Sequence, residues 1–174
     1  FGLSTGPPMG NQCGTVMGMA ALGDPEKYGE DILTDPGFFA GVGSFPYEKY
    51  SGIVRESEQQ AFNVAAGLQY ATEKKLKEFF EVLFTNFGQS ENLCLAGGVA
   101  LNSVMTGKIP EWFPFLKNIY IPPVPYDAGL AIGTAQYLYH HELDFPRVDF
   151  EGPFPAYLGG SYDREEVTEA VKDL

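Results

Sequence analysis

Basic residues are scarce in this 174-residue chain: 11 Lys and Arg stand against 23 Asp and Glu, giving a net charge of −12. A nucleic-acid backbone is gripped by clustered Lys and Arg, so this balance argues against a nucleic-acid partner. It does not exclude a small anionic ligand, which backbone N–H groups and helix N-termini hold whatever the overall charge. Cysteine is nearly missing. Cys13 and Cys94 lie far apart and form no CxxC pair, which reads as two reduced thiols of a cytoplasmic protein, not a disulfide or a metal site. No apolar run approaches the roughly 18 residues that span a bilayer, and no basic-then-apolar leader opens the chain, so no membrane partner is expected. The chain opens on Phe1 and stops at Leu174 within a helix-like run, which reads as a piece whose natural start was removed. There is no GxxxxGK[ST], which excludes a P-loop, and no Ser-His-Asp arrangement. His140 and His141 are adjacent, so on a helix they point about 100° apart and do not readily share a metal. Favourable charge at a helix C-terminus is the better account of them.

What the chain does contain is that of a globular domain with a bulky core: 44% hydrophobic residues, 20% charged, and 14 Phe with 10 Tyr. Residues 1–56 are rich in turn formers, and only Gly14 to Leu22 reads as a short helix there. So long a stretch with little periodicity and many aromatics suggests a functional or domain-covering segment more than a linker. At Ser57-Glu-Gln-Gln60 a capping box opens a long helix. Its apolar positions recur at helical spacing from Ala61 and Val64 through Leu76, Phe80 and Phe84, and Gly88 ends it. Asn92 to Ala96 reads as a strand, Val99 to Gly107 as a helix, Lys117 to Ile121 as a second strand and Asp127 to Leu143 as a second helix. That rhythm implies an α/β fold with parallel strands joined by right-handed crossovers. Residues 144–160 are rich in Pro and Gly and mark a boundary, with a new helix from Asp163.

Two constellations carry chemistry. In Leu95-Ala-Gly-Gly-Val-Ala-Leu-Asn102 a strand ends in two glycines and runs into a helix. Backbone N–H groups there meet the positive end of the helix dipole, and missing Cβ atoms let a phosphate approach. Asn102, about one turn into the expected helix, would reach a ribose or phosphate oxygen. Tight strand–helix packing explains the glycines equally well. In Pro122-Pro-Val-Pro-Tyr-Asp127-Ala-Gly129, Asp127 stands near a helix start, where it is either an N-cap or a metal-binding carboxylate beside a phosphate site. Two parallel strands end on one sheet edge, so the glycines and Asp127 face one crevice, where such sheets bind ligands. Cys94, in an apolar strand, is expected in the core.

These residues resemble a family. Leu95 to Ile109 and Ile119 to Gly133, containing LAGGVALN and PxDAGLAIG, are similar to the motifs of the NodU/CmcH-type O-carbamoyltransferases. Val16-Met-Gly-Met-Ala-Ala-Leu-Gly-Asp-Pro25 resembles the family's KVMGLA-x-YGDP loop, and Leu158 to Glu166 the join to its C-terminal domain. The resemblance implies an actin-like ATPase (ASKHA) fold with a mixed sheet. Residues 1–158 would be the second half of the nucleotide-binding domain, and 159–174 the start of the next domain. It also implies that ATP and carbamoyl phosphate form carbamoyl-adenylate, whose carbamoyl group passes to a hydroxyl-bearing small molecule. Gly97, Gly98, Val99 and Asn102 would contact the nucleotide, Gly23 would touch it too, and Asp127 would ligate a divalent metal, iron or magnesium. The family's Glu-Gly-Lys before Val-Met-Gly is here Cys13-Gly14-Thr15, so a cation that would face phosphate is missing. The family's HxxxH metal ligands belong to the preceding half, and its carbamoyl-phosphate site to the following domain, so the chain alone is expected to be inactive. Two alternatives stand: another ATP-dependent transferase or kinase of the same fold, and a degenerate nucleotide-binding module, for which Thr15 in place of Lys speaks.

Overall fold

The computed structural model describes residues 1, 3, 12–38, 47–147 and 160–172. Its spine is a 30-residue helix. In chain order the described elements are helices α1 (Cys13–Ala20), α2 (Gly29–Leu33), α3 (Tyr47–Val54) and α4 (Glu58–Phe87), strand β1 (Asn92–Cys94), helix α5 (Ser103–Trp112), strand β2 (Asn118–Tyr120), and helices α6 (Gly129–Tyr137) and α7 (Arg164–Ala170). A 3-10 turn (Gly98–Leu101) precedes α5, and one wider π turn (Leu138–Glu142) continues α6.

The ends of α4 follow from its sequence. Ser57 is extended, and its hydroxyl accepts the Gln60 N–H at 3.2 Å. The return half of the expected capping box is replaced: the Gln60 side chain instead accepts the Tyr28 hydroxyl at 3.0 Å. At the far end Gly88 takes φ +85°, a conformation that Cβ-bearing residues rarely adopt, and the helix stops.

Two apolar clusters form on α4. Near its C-terminal half, Phe80 packs with Leu93, Met105, Ile109, Phe113 and Leu116. Phe84 stands edge-on to Phe113 and Phe115, with ring centroids 5.1 and 5.0 Å away, a favoured aromatic geometry. Near the N-terminal half, Val64 and Ala71 pack with Ile32 and Tyr50. The helices α2 and α3 that bring in Ile32 and Tyr50 correct the expectation that residues 1–56 hold a single helix. They are too short to show a period of their own, and burial against α4 stabilises them. The contact is close. A Cβ on Gly23 would lie 2.0 Å from the Phe62 carbonyl oxygen, and one on Gly67 2.9 Å from the Tyr28 carbonyl carbon. Buried Asn63 ties the same segment down, accepting the Asp24 N–H at 2.9 Å.

β1 and β2 pair in parallel, with Asn92, Leu93 and Cys94 opposite Asn118, Ile119 and Tyr120. The α/β reading and the parallel pairing are therefore correct. Two details differ. Cys94 is exposed, not core, because alternate strand residues face opposite sides and Leu93 takes the covered one. The helix after the glycines does not run from Val99 to Gly107. A 3-10 turn comes first, and α5 then runs through Pro110 to Trp112, where Phe113 joins the core. Asp163 opens α7 with a full capping box, closed by Glu166. The boundary expected within 144–160 falls largely on 148–159, outside the described residues. Among the described residues no helix is long and apolar enough to cross a membrane.

Candidate functional site at the ends of the parallel strands

Because β1 and β2 run in parallel, the segments that follow them emerge on one edge. There they frame an open cleft of ≈ 650 Å³, lined by Ala96 and Gly97 after β1, by Tyr126 and Asp127 after β2, and by residues of α6. The structure thus brings Gly97 and Asp127 to one cavity, as the strand order requires.

Gly97 has φ +99° and ψ 157°, a region essentially reserved for glycine. Its N–H is spent: it donates to the Pro125 carbonyl at 2.6 Å. The 3-10 turn then closes with the Ala100 N–H on the Gly97 carbonyl and the Asn102 N–H on the Val99 carbonyl. The Gly98 and Val99 N–H groups are left without a protein acceptor among the described residues. Gly98 itself is open: a Cβ there would touch only the Tyr126 Cβ, at 3.9 Å. Crowding therefore explains neither glycine: a Cβ on Gly97 would also meet nothing within 4 Å, and what requires glycine there is its backbone conformation.

Asn102 is not one turn inside a helix. It is the N-cap of α5, its Oδ1 accepting the Met105 N–H at 3.0 Å. The same oxygen accepts from Gln69 Nε2 on α4 at 3.2 Å, and Asn102 Nδ2 donates back to Gln69 Oε1 at 2.8 Å. Sequence reasoning missed Gln69; the only hint was a polar residue among the apolar positions of the long helix. Beyond it, Gln69 Nε2 donates to Glu73 at 2.8 Å, and Glu73 pairs with Lys108 of α5 at 2.6 Å. The Glu73 side chain is 13% exposed, so this ion pair is better shielded than the five others among the described residues, which are all surface pairs.

Asp127 does not cap α6. The N-cap position is Ala128, with no side-chain bond, and the Asp127 carboxylate accepts no hydrogen bond and forms no ion pair with any described residue. It is exposed at the mouth of the cleft. Gly23 lines no part of this cleft and lies against α4 at Phe62. Thr15, where the resemblance has Lys, bonds locally to Gln12 at 2.8 Å. His140 sits in the middle of the π turn with Nδ1 3.3 Å from the Phe145 carbonyl. Among the described residues no three His, Cys, Asp or Glu side chains gather as a metal cluster. A free carboxylate of hard oxygen donors fits a divalent cation of the magnesium kind, which commonly takes one or two protein carboxylates and completes its shell with phosphates and water.

Comparison with known proteins bears on this geometry. No solved structure matches the chain. An uncharacterised protein of Synechocystis sp. is 34% identical over 90% of this chain and 29% of its own length. The nodulation protein NolO of Bradyrhizobium diazoefficiens is 31% identical over 88% of this chain and 29% of its own length. The nodulation protein NolNO of Sinorhizobium fredii is 31% identical over 69% of this chain and 19% of its own length. The chain therefore spans under a third of the length of the curated relatives it matches. Residues 46–136, just over half of the chain, match the family described as Carbamoyltransferase N-terminus. That span runs from α3 through both strands to α6, and with it the Gly97 turn, the Gln69–Asn102 pair and Asp127 all fall inside the matched region: the chain belongs to the carbamoyltransferase family.

Proposed function

We propose that this chain supplies one wall of the nucleotide site of an ATP-dependent O-carbamoyltransferase with an actin-like fold. The observation that carries the reading is the pairing of unpaired groups at one sheet edge. The Gly98 and Val99 N–H donors stand on the turn after β1, next to Gly97 but not themselves in the cleft wall, and the unpartnered Asp127 carboxylate lines the cleft after β2. Backbone donors freed at a glycine turn suit phosphate oxygens, and a carboxylate nearby suits the cation that accompanies them. Asp127 would hold that divalent metal through its carboxylate. When bound, the metal supplies Lewis-acid polarisation and a template for the phosphates. Gly98 and Val99 orient the phosphate chain by donating to it, and Gly97 fixes the direction in which they point. Asn102 supports the reading indirectly, since its amide is engaged with Gln69 and the α5 backbone.

In the complete protein carbamoyl phosphate, hydrolysed to carbamate and phosphate, would react with ATP to give carbamoyl-adenylate and pyrophosphate, and the carbamoyl group would pass to a hydroxyl of a small-molecule acceptor with release of AMP and the hydroxyl proton. The test is carbamoyl transfer by the full-length protein, with labelled carbamoyl phosphate and a panel of hydroxyl acceptors, with and without ATP. ATP-dependent labelling is expected, and the 174-residue chain alone should give none. Transfer that ignores ATP, or turnover by the chain alone, overturns the reading.

A further inference from the structure

The turn proposed to bind phosphate is fixed at both ends by contacts that no motif contains. At its start the Gly97 N–H is tied to the Pro125 carbonyl at 2.6 Å. At its end Asn102 is tied to Gln69, 33 residues earlier on α4, by two opposed amide hydrogen bonds of 2.8 and 3.2 Å. Between these anchors lie Gly98 and Val99, the two residues whose N–H groups have no protein acceptor among the described residues.

Gln69 is itself held in place. Its Nε2 is shared between Asn102 and Glu73, and Glu73 is gripped by Lys108 on the helix that Asn102 caps. The circuit Asn102–Gln69–Glu73–Lys108 therefore closes on itself through α5, and both amide orientations are fixed. Asn102 Oδ1 receives two donors, from Met105 and Gln69, which uses its two lone pairs. A network with its members satisfied defines one geometry more sharply than its single bonds would.

We propose that Gln69 is a positioning residue for nucleotide binding. It touches no ligand, and through Asn102 it sets where the Gly98 and Val99 N–H groups point. The inference rests on the proposed nucleotide site and adds a residue and a mechanism to it. Releasing one end of the turn while the Gly97 anchor remains should loosen the two N–H donors and cost about tenfold in nucleotide affinity, of the order of one hydrogen bond.

The test uses the full-length protein and ATP affinity measured by calorimetry, with thermal midpoints recorded alongside. Gln69→Met keeps the chain length and the helix preference and removes only the amide. Its ATP Kd should rise about tenfold, as should KM for ATP, while the turnover number at saturating ATP stays within about twofold. Asn102→Ser keeps a good N-cap for α5 but cannot pair with Gln69. In that background Gln69→Met should add no further loss, because the two residues act as one unit. Wild-type Kd in Gln69→Met, or losses that add across the double variant, overturns the positioning role. If the wild-type protein binds no ATP at all, the nucleotide site itself fails, and the inference with it.

Discussion

The Gly97 N–H and the Pro125 carbonyl meet at 2.6 Å, so the turn after β1 is bolted to the loop after β2. The bond joins segments 28 residues apart in sequence, and both of its residues line the cleft. It also uses the Gly97 N–H within the protein, while the Gly98 N–H keeps no protein acceptor among the described residues. On the proposed nucleotide site this divides the labour, with Gly97 setting backbone shape and Gly98 giving access.

That division predicts different costs for alanine. Gly97→Ala meets no atom within 4 Å but must hold φ +99°, which costs on the order of 1–3 kcal/mol. Gly23→Ala must displace the α4 backbone at Phe62, and about 1–3 kcal/mol is expected there from overpacking. Gly98→Ala should be nearly neutral, within about 0.5 kcal/mol. Urea unfolding of the three variants checks the order, and a Gly98→Ala as damaging as Gly97→Ala would contradict it.

Gly98→Val places three more carbons beside the free N–H groups, and only the Tyr126 Cβ lies within 4 Å of a Cβ there. The full-length variant should fold, with a thermal midpoint close to wild type, and lose ATP affinity by about a hundredfold, as expected for obstructing two hydrogen bonds to a charged phosphate. Unchanged affinity in a folded variant would leave the second glycine without a ligand role.

Asp127→Asn removes a charge that no described residue balances or uses. Stability should change by less than about 0.5 kcal/mol. Asn is a far poorer ligand for a hard cation, so metal content and carbamoyl transfer of the full-length protein should both fall. Metal analysis and transfer assays on the purified variant decide it, and wild-type values for both would remove Asp127 from the site.

The acid side of the stability profile should carry the mark of Asp31. Hydrogen bonds from Lys49 and then Tyr50, at 2.5 and 2.9 Å, hold its carboxyl below the ordinary value of 3.8. A depressed carboxylate stabilises the fold above its unfolded pKa, and that contribution disappears as pH falls through the lower folded value. Asp31→Asn should therefore lower stability at neutral pH, by at most about 1 kcal/mol because the Lys49 pair is half exposed. The difference from wild type should shrink as pH drops below 3.8 and vanish in stronger acid. Paired urea melts across that range test it; a gap that persists at the acid end would mean the effect is not ionic.

The local chemistry of the chain was enough to specify α4 and the paired strand–helix units. Ser57 and Gly88 bound the long helix because a cap hydroxyl and a positive φ act within a few residues of themselves. The parallel order of β1 and β2, and hence the shared edge for Gly97 and Asp127, follows from a strand–helix–strand rhythm that also needs no distant partner. Tertiary contacts decided the rest. α2 and α3 exist through burial of Ile32 and Tyr50 on α4, a gain invisible in eight residues or fewer read alone. Asn102 resembles a ligand-binding amide until Gln69 arrives from 33 residues away and takes it. Asp127 resembles a helix cap until α6 starts at Gly129, with Ala128 in the N-cap position, and leaves the carboxylate unpaired. A polar side chain has several possible partners of similar strength, and only the folded arrangement selects which one lies within hydrogen-bonding distance.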